Sequence, residues 1–345
     1  MKKSLKSLFV LAFACCVLLS CTRAPDVVKK NPNPLSLWTD TAPAKKALVE
    51  YMKNITDKNS ADFIPVERRI AIFDWDGTLF CETNPTYFDF QLFIHRVLDD
   101  PSYNANEEQL AIAKSYRDTG IVPPLDAEYE RMLASAYKGI TVEAFFDYVS
   151  EFMKSEQPGY NGMKRAEAYY RPMAEIVQFL IENQFTVYVS TGTNRYTIRP
   201  LVMEIFKLPP HQIIGSDSVI VCREQGETDS LAYTFNEGDE LVMGGKNIVK
   251  NLQMNKVVAI VREIGFKPVL AFGNSLTDAS MINYSIRNNK YKALGFMLCC
   301  DDLEREYGNL KKADKMKADC EKNGWIPVSM KNDWKTIYGE GVKKQ

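Results

Sequence analysis

Apolar residues in this chain fall into short continuous runs and longer spaced runs, and their alternation predicts an α/β protein. Ile70, Ala71, Ile72 and Phe73 form a continuous run that stops at an acid and then Gly77-Thr78, the pattern of a buried parallel strand ending in a tight turn. Similar runs predict strands at Phe185 to Val189, Pro209 to Gly215, Pro268 to Phe272, Ala293 to Cys299 and Trp325 to Ser329. Ser218 to Cys222 and Leu231 to Phe235 flank a polar turn at Gly226 and are expected to form a hairpin. Helical spacing appears within Thr41 to Asn59, from Arg171-Pro172 through Leu180, and from Lys256 to Ile264, where Gly265 ends it.

From Cys81 to about Tyr169 no β-type run occurs, and Phe88-Leu92-Phe93, Leu110-Ala113 and Phe145-Phe146-Val149-Phe152 recur at helical spacing. Thr141 before Val142-Glu143 is a good N-cap with an acid in the first turn. So long a stretch is no strand-to-helix loop. It predicts an inserted all-α cap directly after the first strand, overhanging the strand ends and screening what reaches them.

The amino terminus departs from this alternation. Lys2, Lys3 and Lys6 precede an apolar stretch from Leu8 to Leu19, too short to span a bilayer comfortably, which is the build of a secretory signal. It ends Leu18-Leu19-Ser20-Cys21, which resembles a bacterial lipobox, and the resemblance implies cleavage before Cys21 and lipid attachment to its sulfur. The expected organisation is a signal over 1–21, a tether over 22–42, an N-terminal helix and first core strand over 43–80, a cap over 81–168 and the rest of the core over 169–345. The location implied is the cell envelope, with the protein held on a membrane by lipid and without a spanning helix.

Charge and cysteine content narrow the picture. A formal net charge of −1 over 345 residues provides no basic excess for a nucleic-acid backbone, so nucleic acid is not an expected partner. Once the signal and Cys21 are set aside, Cys81, Cys222, Cys299, Cys300 and Cys320 remain. They contain no CxxC pair, and an odd number leaves at least one thiol outside any disulfide.

Three predicted strand ends carry polar signatures: Asp74-Trp75-Asp76-Gly77-Thr78, Ser190-Thr191-Gly192, and Gly273-Asn274-Ser275 with Asp278. Asp74 and Asp76 stand two positions apart on extended backbone and point the same way, so a cation or a shared proton must offset their repulsion. With a lysine before the last signature, these segments resemble the four motifs of the haloacid dehalogenase superfamily of phosphatases, in that family's order. The resemblance covers about Glu67 to Tyr338, and Asp301-Asp302 and Trp325 to Lys335 are similar to its phosphoserine-phosphatase-like branch.

The resemblance implies a Rossmann-like parallel sheet flanked by helices and a Mg2+-dependent phosphomonoesterase acting on a small phosphorylated metabolite. Asp74 is then the nucleophile, forming an aspartyl-phosphate, and Asp76 the general acid and base. Ser190, Thr191 and Gly192 would hold phosphoryl oxygens, and Asp74, Asp76 through its backbone carbonyl, Asn274 and Asp278 are the expected metal set, with Asp278 either a direct ligand or an acceptor orienting its neighbours. Lys256 is the preferred motif lysine, with Lys246 as its competitor. Glu82 lies where that branch places a substrate-binding acid, suited to phosphoserine- or phosphocholine-like esters. Trp75 reads as core, and His95 and His211 have no partner pattern. Asn274 replaces the more common Asp and contributes no charge, which leaves open a rival reading as an inactive scaffold that binds a ligand or partner.

Overall fold

The computed structural model describes residues 34–82 and 85–345; the expected signal, Cys21 and the first part of the tether lie outside the described residues. β1 (Ile70–Phe73) is apolar and buried at every position, as a strand covered on both faces must be. Helix α1 (Pro43–Thr56) precedes it and buries Leu48, Tyr51, Met52 and Ile55 along one stripe. After β1 come α2 (Phe88–Leu98), α3 (Glu107–Thr119), α4 (Ala127–Ser135), α5 (Val142–Phe152) and the short strand β2 (Tyr160–Asn161). Local chemistry sets these helix starts: the side chains of Asn106, Asp126 and Thr141 each accept a first-turn N–H of α3, α4 and α5.

The chain returns through α6 (Arg171–Glu182), β3 (Thr186–Asn194), α7 (Arg195–Phe206), β4 (Ile213–Cys222) and β5 (Leu241–Val249). It continues with α8 (Met254–Ala259), β6 (Leu270–Gly273), α9 (Ala279–Ile286), β7 (Leu294–Cys299) and α10 (Leu310–Asn323). The last elements are β8 (Ile326–Ser329), α11 (Met330–Asp333) and β9 (Lys343–Lys344). Seven strands form one sheet in the order β5-β4-β3-β1-β6-β7-β8, parallel throughout except for β5. The α/β, Rossmann-like architecture expected from the sequence is therefore present, with the helical insertion directly after the first strand.

Register builds the core under the strand ends. Phe73 pairs with Phe272, and Phe272 with Phe296, so three rings stack across β1, β6 and β7 at centroid distances of 4.2 and 4.8 Å. The ladder lies one residue before Asp74 and fixes where β1 ends.

Four expectations are corrected. β3 does not break at Ser190 but runs on to Asn194, with a register shift against β4 between those two residues. The antiparallel partner of β4 is Leu241–Val249, not Leu231 to Phe235; Leu231 is fully exposed in the connection, where nothing apolar receives it. The cap is not purely helical, because β2 pairs with β9 in a two-stranded antiparallel ribbon. The tether ends earlier than expected: Leu35 and Trp38 are buried, Trp38 packs edge-on against Trp334 at 5.8 Å, and its indole N–H donates to the Pro172 carbonyl. Burying a large ring is favourable enough to hold this segment on the domain.

No disulfide joins the five described cysteines. Among the described residues, no helix is long and apolar enough to cross a membrane.

Trp38→Ala is expected to lower stability by about 3–5 kcal/mol, the cost of emptying a large buried site. A chemical-denaturation midpoint checks it; an unchanged midpoint would return residues 35–42 to a tether.

Candidate active site

The carboxyl ends of β1, β3 and β6 converge, and Lys256 from α8 reaches into the junction. Its Nζ lies 2.6 Å from Asp74 Oδ1, 2.6 Å from Asp278 Oδ1 and 2.7 Å from the Ser190 carbonyl, so one ammonium ties the end of β1, the interior of β3 and the turn after β6. Lys256 and Asp278 have no solvent exposure. Burial works against the lysine's charge, but Asp278 and Asp74 outweigh it and raise its pKa, so it stays an ammonium. Lys246 lies exposed on β5, apart from this junction.

Both oxygens of Asp278 are taken: Oδ1 by Lys256, Oδ2 by the N–H groups of Asn274 and Ser275 at 3.1 and 3.2 Å. Asp278 thus orients Asn274 and Lys256. The Asn274 amide donates to Glu82 Oε2 at 2.6 Å, and the other Glu82 oxygen accepts from Tyr87 Oη at 3.0 Å. Gly77 explains the close approach of these groups. Its φ is +77°, and a Cβ there would sit 1.9 Å from Asn274 Nδ2, so any side chain would displace Asn274.

Asp74 and Asp76 share the wall of one cavity but differ in surroundings. Burial, then the charge of Asp278, pushes the Asp74 carboxyl up to about 7 against the pull of Lys256. Asp76 is held well above the usual carboxylate range, first by burial and then by the charge of Asp89 from α2. Its Oδ2 accepts from Thr193 Oγ1 at 2.6 Å, while Oδ1 is buried with no protein partner among the described residues. Trp75, between the two acids, is buried and stacks on Phe80 at 4.9 Å, which makes it core. His95 and His211 do not line the cavity.

The cavity encloses about 240 Å³. Asp74, Asp76, Glu82, Asn274 and Gly192 reach it, but Ser190 and Thr191 do not; both are fully buried behind the wall. Because β3 continues through this segment, Ser190 faces Asn251, whose Nδ2 donates to Ser190 Oγ and to the Thr191 carbonyl at 3.1 Å each. Gly192 and Thr193 form the wall in their place.

Several site residues escape sequence reasoning. Thr193 follows the Ser-Thr-Gly signature by one position, so its proximity was a usable signal. Asn251, Asp89, Tyr129, Lys250 and Lys312 carry no motif and are brought in only by packing. Tyr129 Oη donates to Asp89 Oδ1 at 3.2 Å, Lys250 pairs with Glu130, and Lys312 lies 3.3 Å from both Glu82 oxygens.

The donor set suits a hard cation. Asp74, Asp76 and Asn274 offer oxygen on one wall, an Asp76 oxygen is buried with no partner among the described residues, and Asp74, Asp76 and Asp278 stand against Lys256 there.

Residues 71–283 match the family model described as haloacid dehalogenase-like hydrolase. No curated protein matches the chain. A conserved protein of unknown function from Anaerococcus prevotii DSM 20548 is similar in structure at 12% identity over 83% of this chain and 91% of that one, with a TM-score of 0.49. Cytosolic 5'-nucleotidase IIIB bound to cytidine is similar at 12% identity over 85% and 87% of the two chains, TM-score 0.46. A phosphoserine phosphohydrolase-like protein from Francisella tularensis subsp. tularensis SCHU S4 is similar at 14% identity over 72% and 92%, TM-score 0.39. Likeness at this level says nothing about activity.

The raised Asp74 pKa makes stability depend on pH. The folded protein holds a proton that the unfolded chain loses near its ordinary value of about 4. Stability contributed below that value therefore falls as pH rises toward about 7 and levels off above it. In metal-free buffer the thermal midpoint should drop by a few degrees, on the order of 2–6 °C, between pH 5 and pH 8, and Asp74→Asn should flatten part of that slope. An identical slope in the variant would contradict the assignment.

Proposed function

This chain belongs to the haloacid dehalogenase-like hydrolase family, and on that premise we propose that it is a phosphomonoesterase acting through an aspartyl-phosphate on Asp74. The observation that carries the reading is Lys256, buried between Asp74 and Asp278 and presenting Asp74 to a capped cavity that Asp76 also faces.

Asp74 attacks phosphorus as the bond to the ester oxygen breaks, and Asp76 supplies the proton that the leaving oxygen needs. Its carboxyl, held above the usual carboxylate range by burial and by the charge of Asp89, suits that role. Asp76 then takes a proton from water, which attacks phosphorus and frees Asp74. Lys256 keeps Asp74 oriented and offsets its charge, while Gly192 brings bare backbone to the wall where phosphoryl oxygens collect. Asp74, the backbone carbonyl of Asp76 and Asn274 would hold Mg2+, with Asp278 fixing Asn274 behind them. When bound, the ion offsets repulsion between a phosphate dianion and these carboxylates.

A cavity of about 240 Å³ suits a small phosphorylated metabolite. Glu82, Asp89, Tyr87 and Tyr129 on its cap side favour a leaving group bearing an ammonium, so phosphoserine- and phosphocholine-like esters are the first candidates. We also propose that the protein is exported and anchored through lipid on Cys21, which places the reaction in the cell envelope.

A phosphomonoester panel with Mg2+ or EDTA tests the activity: phosphate release in Mg2+ and its loss in EDTA are expected. A folded protein that hydrolyses no ester but still binds one would establish the rival binding-module reading. Lys256→Met is expected to lower kcat by roughly 10²–10³, while Lys246→Met stays within about twofold; a larger loss at Lys246 would reverse the choice of lysine. Cys21→Ala should move the protein from the membrane to the soluble fraction, and unchanged fractionation would refute the anchor.

A further inference from the structure

A second cavity, of about 420 Å³, opens on the cap between α2, α3 and the segment after α5, and its lining is separate from that of the catalytic cavity. Its charge is unbalanced. Arg165 lines it, half-buried, with Nε donating to Ser155 Oγ at 2.9 Å and one terminal nitrogen donating to the Gln91 side-chain oxygen. No carboxylate among the described residues pairs with it, and burial lowers its pKa to about 10, the mark of a desolvated charge without an acid to offset it. Arg117 adds a second guanidinium to the wall, with the Asp99 carboxylate as its partner at 2.8 Å. His95 lies beyond them, 3.9 Å from the same carboxylate.

The rest of the wall is flat and apolar. Phe152 lies beneath the Arg165 guanidinium at 4.3 Å, His95 stacks on Phe152 at 5.1 Å, and Tyr116 faces the same space. With Nε and one terminal nitrogen of Arg165 engaged, its other terminal nitrogen remains for an anion, and Tyr116 and Pro85 on the same wall remain for an apolar body.

We propose that this groove binds a small organic anion, a carboxylate, sulfonate or phosphate joined to a flat apolar body, with Arg165 as the anion's partner. A desolvated cation left without a counterion is costly, and an anion that brings its charge to Arg165 removes that cost. Recognition of the acidic group by the planar guanidinium and of the body by Tyr116 and Pro85 gives the site its selectivity. The two cavities share no lining residue, so the two sites are separable by mutation.

Benzenesulfonate, which carries no phosphoester, is a probe that the proposed reaction does not consume. Isothermal titration of the full-length protein is expected to give saturable binding, at about millimolar Kd or tighter, with the neutral isostere benzenesulfonamide weaker by about tenfold or more. Arg165→Met should weaken benzenesulfonate by at least about tenfold, and Arg117→Gln, on the exposed rim, by about two- to threefold. Lys250→Met, in the catalytic cavity, should leave it unchanged. Circular dichroism establishes that each variant is folded, and should Arg165→Met not fold, Arg117→Gln and the sulfonamide comparison still decide the matter. Absence of saturable binding to the wild type, equal affinity for the sulfonamide, or loss in Lys250→Met without loss in the groove variants would each overturn the proposal.

Discussion

The fold and the site meet in one buried ammonium. Lys256 cannot be solvated, so its charge must be met by Asp74 after β1, Asp278 in the turn after β6 and the Ser190 carbonyl within β3. Breaking such a buried contact by removing one partner costs about 3–5 kcal/mol, because the remaining charges are stranded away from water. These three strands are therefore held in one geometry by electrostatics as well as by the sheet. The phenylalanine ladder just beneath them supplies the rigid floor.

Around that contact the protein sets unequal environments for similar groups. Asp278 spends both oxygens on Lys256 and backbone N–H groups, so it positions rather than reacts. Asp74 lines the cavity, and its second oxygen accepts a 3.5 Å contact from Thr78. Asp76, bonded to Thr193, is held well above the usual carboxylate range by burial and by the charge of Asp89. Sequence identity alone does not distinguish three aspartates; burial and neighbours do.

Much of this was legible beforehand because it is local. A continuous apolar run followed by Asp-x-Asp-Gly-Thr specifies a strand, a turn and two acids on one side, and the structure has all of these. Lys256 was legible because the helix it starts runs into β6 as one unit. What was not legible depends on contacts distant in sequence: Asn251 turning Ser190 inward, Asp89 and Tyr129 arriving from the cap, and Lys312 reaching Glu82 from α10. Trp38 was misjudged because nearby prolines suggest a linker, whereas a single large ring with a partner 296 positions away in Trp334 outweighs them. The hairpin was misplaced because Leu231 and Phe235 have strand spacing but no surface to cover, and β5 has one in α4 and β4.

The central claim is that Asp74 becomes covalently phosphorylated. Rapid quenching during turnover of a hydrolysed phosphoester, followed by borohydride reduction and peptide mass spectrometry, reads it directly. The account predicts reduction of the acyl-phosphate at Asp74, seen as homoserine in the peptide that spans β1, and its absence from Asp74→Asn. Turnover with no modification at Asp74, or modification at another residue, would contradict it.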